Sequence, residues 1–351
     1  MRSEILFRLV AQACVLASFG VTAAAGEVQP RVNVLQHFKL DGDDGWDLLT
    51  LDSDSKRLFV SRATHVEVID IGSGKLEGSI PYTLGVHGVA LATDLRRGYT
   101  SNGRANSVTV FDLDSLKIIQ EAKISGRNPD AILFEPVGKH VFTFNGASKD
   151  ISVLDAMTLA QVATIPVPGK PEFAVDDGQG QIYVNIQSEL GQMAVIDSRG
   201  LRQREVWPLP GCANPSGLAL DRVRHRLFSV CDSKVMAVTD SQTGKQIARV
   251  PIGEGPDAAA YDPKRRIVYS SNGGGSLSVI RQDSADRYTP AASISTERSA
   301  RTMALDAVTG KVYLVSAEFG PAPAPSETQP HPRPMPISGS VVILVIDAAS
   351  P

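Results

Sequence analysis

Apolar and polar residues alternate with period two in a series of short runs along the chain, among them Val66-Glu-Val-Ile-Asp70, Val108-Thr-Val-Phe-Asp112, Ile151-Ser-Val-Leu-Asp155 and Met193-Ala-Val-Ile-Asp197. Period two is the spacing of strands whose successive side chains point to opposite faces, so these runs predict half-buried β-strands. Each run follows a tight polar turn and an aromatic, β-branched strand such as Arg57-Leu-Phe-Val-Ser61 or Arg266-Ile-Val-Tyr-Ser270. The aromatic centres of those strands are Phe59, Tyr99, Phe142, Tyr183, Phe228, Tyr269 and Tyr313, separated by 40, 43, 41, 45, 41 and 44 residues. Seven units therefore fill the chain. Each holds an apolar strand, the aromatic strand, a strand ending in Asp and a fourth such as Lys117 to Ile124 or Gln246 to Ile252.

Four short antiparallel strands per unit, repeated seven times, predict an all-β fold: a seven-bladed β-propeller, whose radial closure leaves few exposed sheet edges. Helical solenoids do not fit the period. The seventh unit offers only Thr302 to Asp306, Lys311 to Val315 and Val341 to Ile346, whereas an unassigned strand, Val32 to Leu40, precedes the first unit. The N-terminal strand is thus expected to complete the last blade and close the ring, giving one domain.

The segments Tyr99-Thr-Ser-Asn102 and Tyr269-Ser-Ser-Asn272, with the recurrent Val-x-Val-Ile-Asp, resemble the YVTN forty-residue propeller repeat, and residues 31 to 347 resemble the YncE-like family of bacterial periplasmic proteins. The resemblance implies a propeller and export; it implies no single reaction and no catalytic residues. Units one and seven depart from the motif, with Arg62 and Ser316 in place of Asn.

Composition agrees with a globular chain: 351 residues, 42% hydrophobic, 21% charged. Arg2 and Arg8, the apolar stretch from Leu9 to Val21 and Ala23-Ala24-Ala25 read as a secretory signal over residues 1–25, leaving 26–351 as the mature, periplasmic chain. The apolar stretch is shorter than the roughly 20 residues a bilayer needs, and no other stretch suits stable membrane insertion. The mature chain keeps 33 basic and 37 acidic residues, so it has no bulk attraction for nucleic acid. It also keeps two cysteines, Cys212 and Cys231, which the unit alignment places on one face of unit five; a disulfide is expected in an oxidising compartment.

In a propeller, the turns entering each inner strand share one face with the turns joining the second and third strands. The inner-strand entries align Asp47, His87, Asp130, Glu172, Ser216, Asp257 and Arg301. The other turns add Arg62, His65, Asn102, Arg104, Asn145, Lys149, Asn185, Asn272 and Glu318. Such a rim offers carboxylate, imidazole, amide and guanidinium groups to a shared ligand. Asp47, Arg62, His87, Asn102, Arg104, Asp130, Asn145, Glu172, Asn185, Asp257, Asn272 and Arg301 are the candidate binding residues. The same groups equally suit turn capping and bridges between blades. His87, Asp130, Asp257 and Arg301 are the candidates for chemistry: Arg301 anchors an anionic group, and His87 with Asp130 or Asp257 transfers protons or ligates a divalent metal.

A proline-rich insertion, residues 318–338, leaves the last blade on this rim face and either folds over the mouth, reaches a partner as a stiff extended segment or is a solvated insertion of no consequence. The opposite face collects twelve basic residues in its first-to-second strand turns, for instance Lys264-Arg265-Arg266. That ring could draw nucleic acid, but Asp70, Asp112, Asp114, Asp155, Asp197 and Asp240 on the same face are expected to neutralise it. The Asp41-Gly-Asp43-Asp44-Gly45 run lacks the spacing of an EF-hand loop, and no nucleotide-binding, serine-hydrolase or zincin motif occurs. The sequence therefore predicts an exported propeller that holds a small polar ligand or a periplasmic protein at its rim. The alternative is a propeller lyase, lactonase or other hydrolase built on His87, Arg301 and the rim carboxylates, with a divalent metal.

Overall fold

The structure, a computed structural model, describes residues 34–42, 44–324 and 334–347. The candidate signal, residues 1–25, lies outside the described residues. So does the middle of the proline-rich insertion.

Among the described residues, twenty-eight strands form seven four-stranded antiparallel sheets. Blades 1 to 6 span 46–80, 86–123, 129–166, 170–208, 215–251 and 256–295, each a meander from inner to outer strand. Blade 7 takes three strands from the C-terminal end, Met303–Asp306, Lys311–Ser316 and Val342–Asp347. Its outer strand is Val34–Lys39, paired antiparallel to Val342–Asp347. The ring closes as expected, with the two ends of the fold held by one another's backbone hydrogen bonds.

Seven hydrophobic clusters account for the core, and each lies between two neighbouring blades. Phe59, Val66 and Val68 of blade 1 pack on Val86, Val89 and Phe111 of blade 2; Phe38, Tyr313 and Ile343 of blade 7 pack on Leu49, Leu58 and Val60 of blade 1. Every sheet is thus covered on both faces. The expectation of half-buried strands fails here for that reason: Arg57–Arg62 and His140–Asn145 are buried at every position after the first. The polar member of the alternation, as in Ser61, Thr100 or Ser152, is buried too, and the outer strands carry the exposure, as in Ile118–Lys123.

The recurrent Asp at the end of the third strand has a local cause. Asp70 accepts hydrogen bonds from the backbone and hydroxyl of Ser73, Asp112 from Ser115, Asp155 from Thr158 and Asp240 from Thr243. These Asx-type bonds fold each tight turn and hold the four carboxyls below the ordinary range. Gly74 closes the first of these turns at φ +71, where a Cβ would stand 2.3 Å from the ring of Phe38.

On that face the basic turns work largely between blades. Arg57 donates to Leu113 O, Arg97 to Ala156 O and Met157 O, Arg226 to Ala285 O and Asp286, and Arg265 to Ala307 O and Thr309 O. Arg57 also pairs with Glu77, Arg222 with Asp176, and Arg224 with Asp221. With Arg96–Asp114, Arg226–Asp240 and Arg265–Asp262, six of the twelve basic residues pair with carboxylates, but of the six aspartates expected to neutralise the ring only Asp114 and Asp240 take part in these ion pairs. Cys212 and Cys231 are joined as a disulfide across 19 residues, tying the loop before blade 5 to the end of its second strand.

Candidate ligand-binding basin at the channel mouth

In six blades the inner strand slips register near its start, after the first pair in five of them and after the second in blade 4: between Trp46 and Leu49, Val86 and Val89, Pro129 and Ile132, Pro171 and Ala174, Pro215 and Leu218, and Pro256 and Ala258. A β-bulge releases a residue from the ladder and re-aims its side chain. The residues that open the slips are Asp47, His87, Asp130, Glu172, Ser216 and Asp257. In four of the strands the residue just before the slip is proline, which lacks the N–H that a continuous ladder would use. Arg301, just ahead of Met303–Asp306, supplies the seventh position. Six of these seven line one basin of about 700 Å³, with Arg104, Asn128, Lys170 and Gln187. Ser216 stands behind it and donates to Asp257 Oδ1 over 2.8 Å.

Charges alternate around the mouth. His87 Nδ1 lies 2.5 Å from Asp47 Oδ2 and 3.8 Å from Asp130 Oδ1. Lys170 Nζ bonds Glu172 and lies 4.0 Å from Asp130. Arg301 Nε lies 3.2 Å from Asp257 Oδ2. Burial works against the imidazolium, yet the Asp47 hydrogen bond and the Asp130 charge outweigh it and raise the His87 pKa above 6.5. Lys170 is likewise held charged: Glu172 and Asp130 overcome its burial. Glu172 is pushed up to about 7 by burial and by the charge of Asp130, despite Lys170. Asp130 and Asp257 are also raised, each chiefly by burial, and Asp130 feels Arg301 across the mouth. The basin thus sets four carboxyls, Asp47, Asp130, Glu172 and Asp257, among four basic side chains, His87, Arg104, Lys170 and Arg301, and burial favours the protonated form of three of the carboxyls.

Space for the imidazole depends on a glycine. A Cβ on Gly103 would stand 2.5 Å from His87 Nε2 and 2.8 Å from Asn128 Oδ1. One ligand atom each from Asp47, His87 and Asp130 lies within 4.8 Å of the others, a spacing a divalent cation could bridge.

Several predicted rim residues sit elsewhere. Asn102, Asn145, Asn185 and Asn272 are fully buried below the rim. Asn102 donates to Ser107 and Thr109, Asn145 to Asp150 and Ser152, Asn272 to Ser276 and Ser278, and Asn185 to the carbonyls of Ser216 and Gly217. Their amides lock turns and neighbouring blades and do not reach the basin. Arg62 is 1% exposed, bonded to Glu67 and to the carbonyls of Asp44 and Gly45. Arg104 does line the basin.

Other residues of the site escaped the sequence reading. Lys170 precedes the Pro-Glu entry and was hidden by it. Trp46, beside Asp47, faces Phe319 of the insertion at 6.0 Å between ring centroids. The insertion's stem doubles back through bonds from Gly320 N to Met335 O and from Ile337 N to Glu318 O, so its base stands at the rim.

This fold and site define a seven-bladed β-propeller with a polar, charged basin at one end of its channel, a scaffold suited to binding. No family model matches the chain. Over 218 residues it is 24% identical to Antigen Lp49 of Leptospira interrogans serogroup Icterohaemorrhagiae serovar copenhageni (strain Fiocruz L1-130), an alignment covering 59% of this chain and 48% of that protein. The chain thus spans about half the length of that curated relative. Among solved structures it is similar to a chain of Kuenenia stuttgartiensis hydrazine synthase, with a TM-score of 0.69 at 18% identity, covering 78% of this chain and 94% of that one. The RRP9 WD40 repeats superpose with a TM-score of 0.73 at 10% identity, covering 91% of this chain and all of theirs. These structural likenesses establish the fold.

Proposed function

We propose that this protein is an exported binding propeller whose rim basin holds a small polar ligand carrying positive charge. The observation that carries the reading is the convergence of Asp47, Asp130, Glu172 and Asp257 in one basin, with Asp130, Glu172 and Asp257 all raised above their ordinary range. A bound ammonium group would favour the ionised forms of these buried carboxyls and offset the cost of their burial. Export is supported by the Cys212–Cys231 disulfide, by the signal-like residues 1–25 and by the YncE-like resemblance. Among the described residues no helix is long and apolar enough to cross a membrane.

The test is a thermal-shift screen of diamines, amino acids, sugars and organic acids against the chain and its Asp130→Asn/Glu172→Gln variant. Ammonium compounds should raise the melting temperature of the parent and lose at least tenfold in affinity in the variant. Stabilisation by neutral sugars or anions alone would refute the reading.

The Asp47–His87–Asp130 spacing favours a second reading, a lyase, lactonase or other hydrolase. There the three side chains hold a divalent cation and Arg301 orients an anionic substrate group. Its test is the metal titration argued in the Discussion.

A further inference from the structure

A second cavity, of about 590 Å³, opens beside the basin and shares Gly45, Trp46, Asp47 and Arg301 with it. Its character is different. Trp46, Phe319, Pro334 and Pro336 wall it with apolar, rigid surface, and Phe319 remains 41% exposed. Thr302 also lines it; the residue is 1% exposed, and its hydroxyl has no partner among the described residues. A buried, unpaired hydroxyl is a standing penalty that a ligand's polar atom can remove. Arg301 stands at the boundary of the two spaces, bonded to Asp257 through Nε, with half of its side chain exposed.

Taken in order along the mouth, the surfaces are carboxylates, a guanidinium, an unpaired hydroxyl and an aromatic wall. We propose that the ligand is a free α-amino acid with a large apolar or aromatic side chain. Its ammonium faces Asp130 and the neighbouring carboxylates, its carboxylate meets Arg301 and Thr302, and its side chain packs against Trp46 and Phe319. The aromatic wall supplies apolar burial and ring contact. The guanidinium supplies a charge-assisted hydrogen bond to a planar carboxylate. This inference rests on the basin being a site for an ammonium-bearing ligand, and it adds the carboxylate and the apolar body.

The chain contains only two tryptophans, Trp46 and Trp207, and Trp207 is buried in the core between blades 4 and 5. Trp46 fluorescence therefore reports the cavity. The experiment titrates the disulfide-intact chain with L-phenylalanine, its methyl ester, N-acetyl-L-phenylalanine, glycine and putrescine, read by fluorescence and calorimetry. L-Phenylalanine should bind and shift the emission, and Trp46→Phe should abolish the shift while calorimetric binding persists. The ester, the N-acetyl compound and glycine should each bind at least tenfold more weakly. Arg301→Gln should weaken phenylalanine about tenfold and leave the ester nearly unchanged. An ester that binds as well as the free acid overturns the carboxylate assignment, and glycine equal to phenylalanine overturns the apolar one. Putrescine binding without phenylalanine binding defeats this inference and leaves the basin reading standing; binding of no probe defeats both.

Discussion

His87 Nδ1 donates to Asp47 Oδ2 over 2.5 Å, joining blades 1 and 2 at the channel mouth through residues 40 positions apart. Burial alone would depress the imidazole pKa; the Asp47 bond, helped by Asp130, is what raises it. Asp47→Asn removes one charge and keeps the shape, so the His87 pKa should fall by about one unit or more. Nuclear magnetic resonance titration of the ring carbons reads this directly. An unchanged His87 pKa would remove Asp47 from the account.

Glu172 sets a pH dependence of stability. Its carboxyl titrates at about 7 in the fold against 4.5 for the free group, so the folded chain holds the extra proton between those values. A proton bound preferentially by the native state makes stability fall as pH rises. The loss runs from about 4.5 to 7 and is bounded at about 3 kcal/mol at roughly 1.4 kcal/mol per pKa unit. His87, also raised, contributes with the same sign from 6.5 upward. The melting temperature should therefore decline from pH 5 to pH 8 for these groups, and Glu172→Gln should flatten the profile. A variant profile as steep as the parent's would contradict the assignment.

A divalent cation among Asp47, His87 and Asp130 would compete with the imidazolium proton, because a histidine must be neutral to ligate. On the metal reading, Mn²⁺ or Zn²⁺ raises the melting temperature more at pH 8 than at pH 6, and Asp130→Asn abolishes the gain. Equal shifts at both pH values, or gains that survive Asp130→Asn, would remove the metal reading.

Blade number, strand order and ring closure were legible because strand period and turn chemistry are local: the Asp that ends a third strand folds its own turn, as Asp70 does with Ser73. The ring from Asp47 to Arg301 was legible because one inner-strand position recurs in every unit. What escaped depends on tertiary closure. Asn102 and His87 both belong to turns on the rim face, but the ladder keeps Asn102 inside its blade whereas a bulge frees His87. Nothing in either residue's local sequence separates the two cases. The pairing of Trp46 with Phe319 spans most of the chain, and Thr302 reads locally as the first residue of a strand.

The disulfide makes a separate prediction. Linking Cys212 to Cys231 closes a 19-residue separation, for which the chain-entropy model gives about 3 kcal/mol. Both sulfurs lie in a core cluster with Leu218 and Leu227. Cys212→Ala/Cys231→Ala should lower the melting temperature, and reductant should lower that of the parent alone. If reductant leaves the parent's melting temperature unchanged, the stabilising role is refuted.

Arg62 and Glu67 occupy places that other blades fill with uncharged groups. Strand register sets Arg62 against His65 as Asn102 is set against Ser107, and Val60 against Glu67 as Thr100 is set against Thr109. In blades 2, 3 and 6 the corresponding contacts are amide to hydroxyl: Asn102 to Thr109 at 2.9 Å, Asn145 to Ser152 at 3.0 Å and Asn272 to Ser278 at 3.0 Å. Blade 1 replaces this with an ion pair, Arg62 to Glu67 at 2.7 Å, whose arginine side chain is fully buried. Removing one partner of such a pair strands the other charge, at about 3–5 kcal/mol, whereas replacing both with matched neutral groups is close to neutral. Arg62→Asn should therefore destabilise the chain strongly, and adding Glu67→Thr should restore most of the loss by rebuilding the contact found in blade 2. Chemical denaturation of the two variants measures the difference. A double variant no more stable than the single one would show that Arg62 acts through its bonds to the Asp44 and Gly45 carbonyls, holding the approach to Asp47, and not through Glu67.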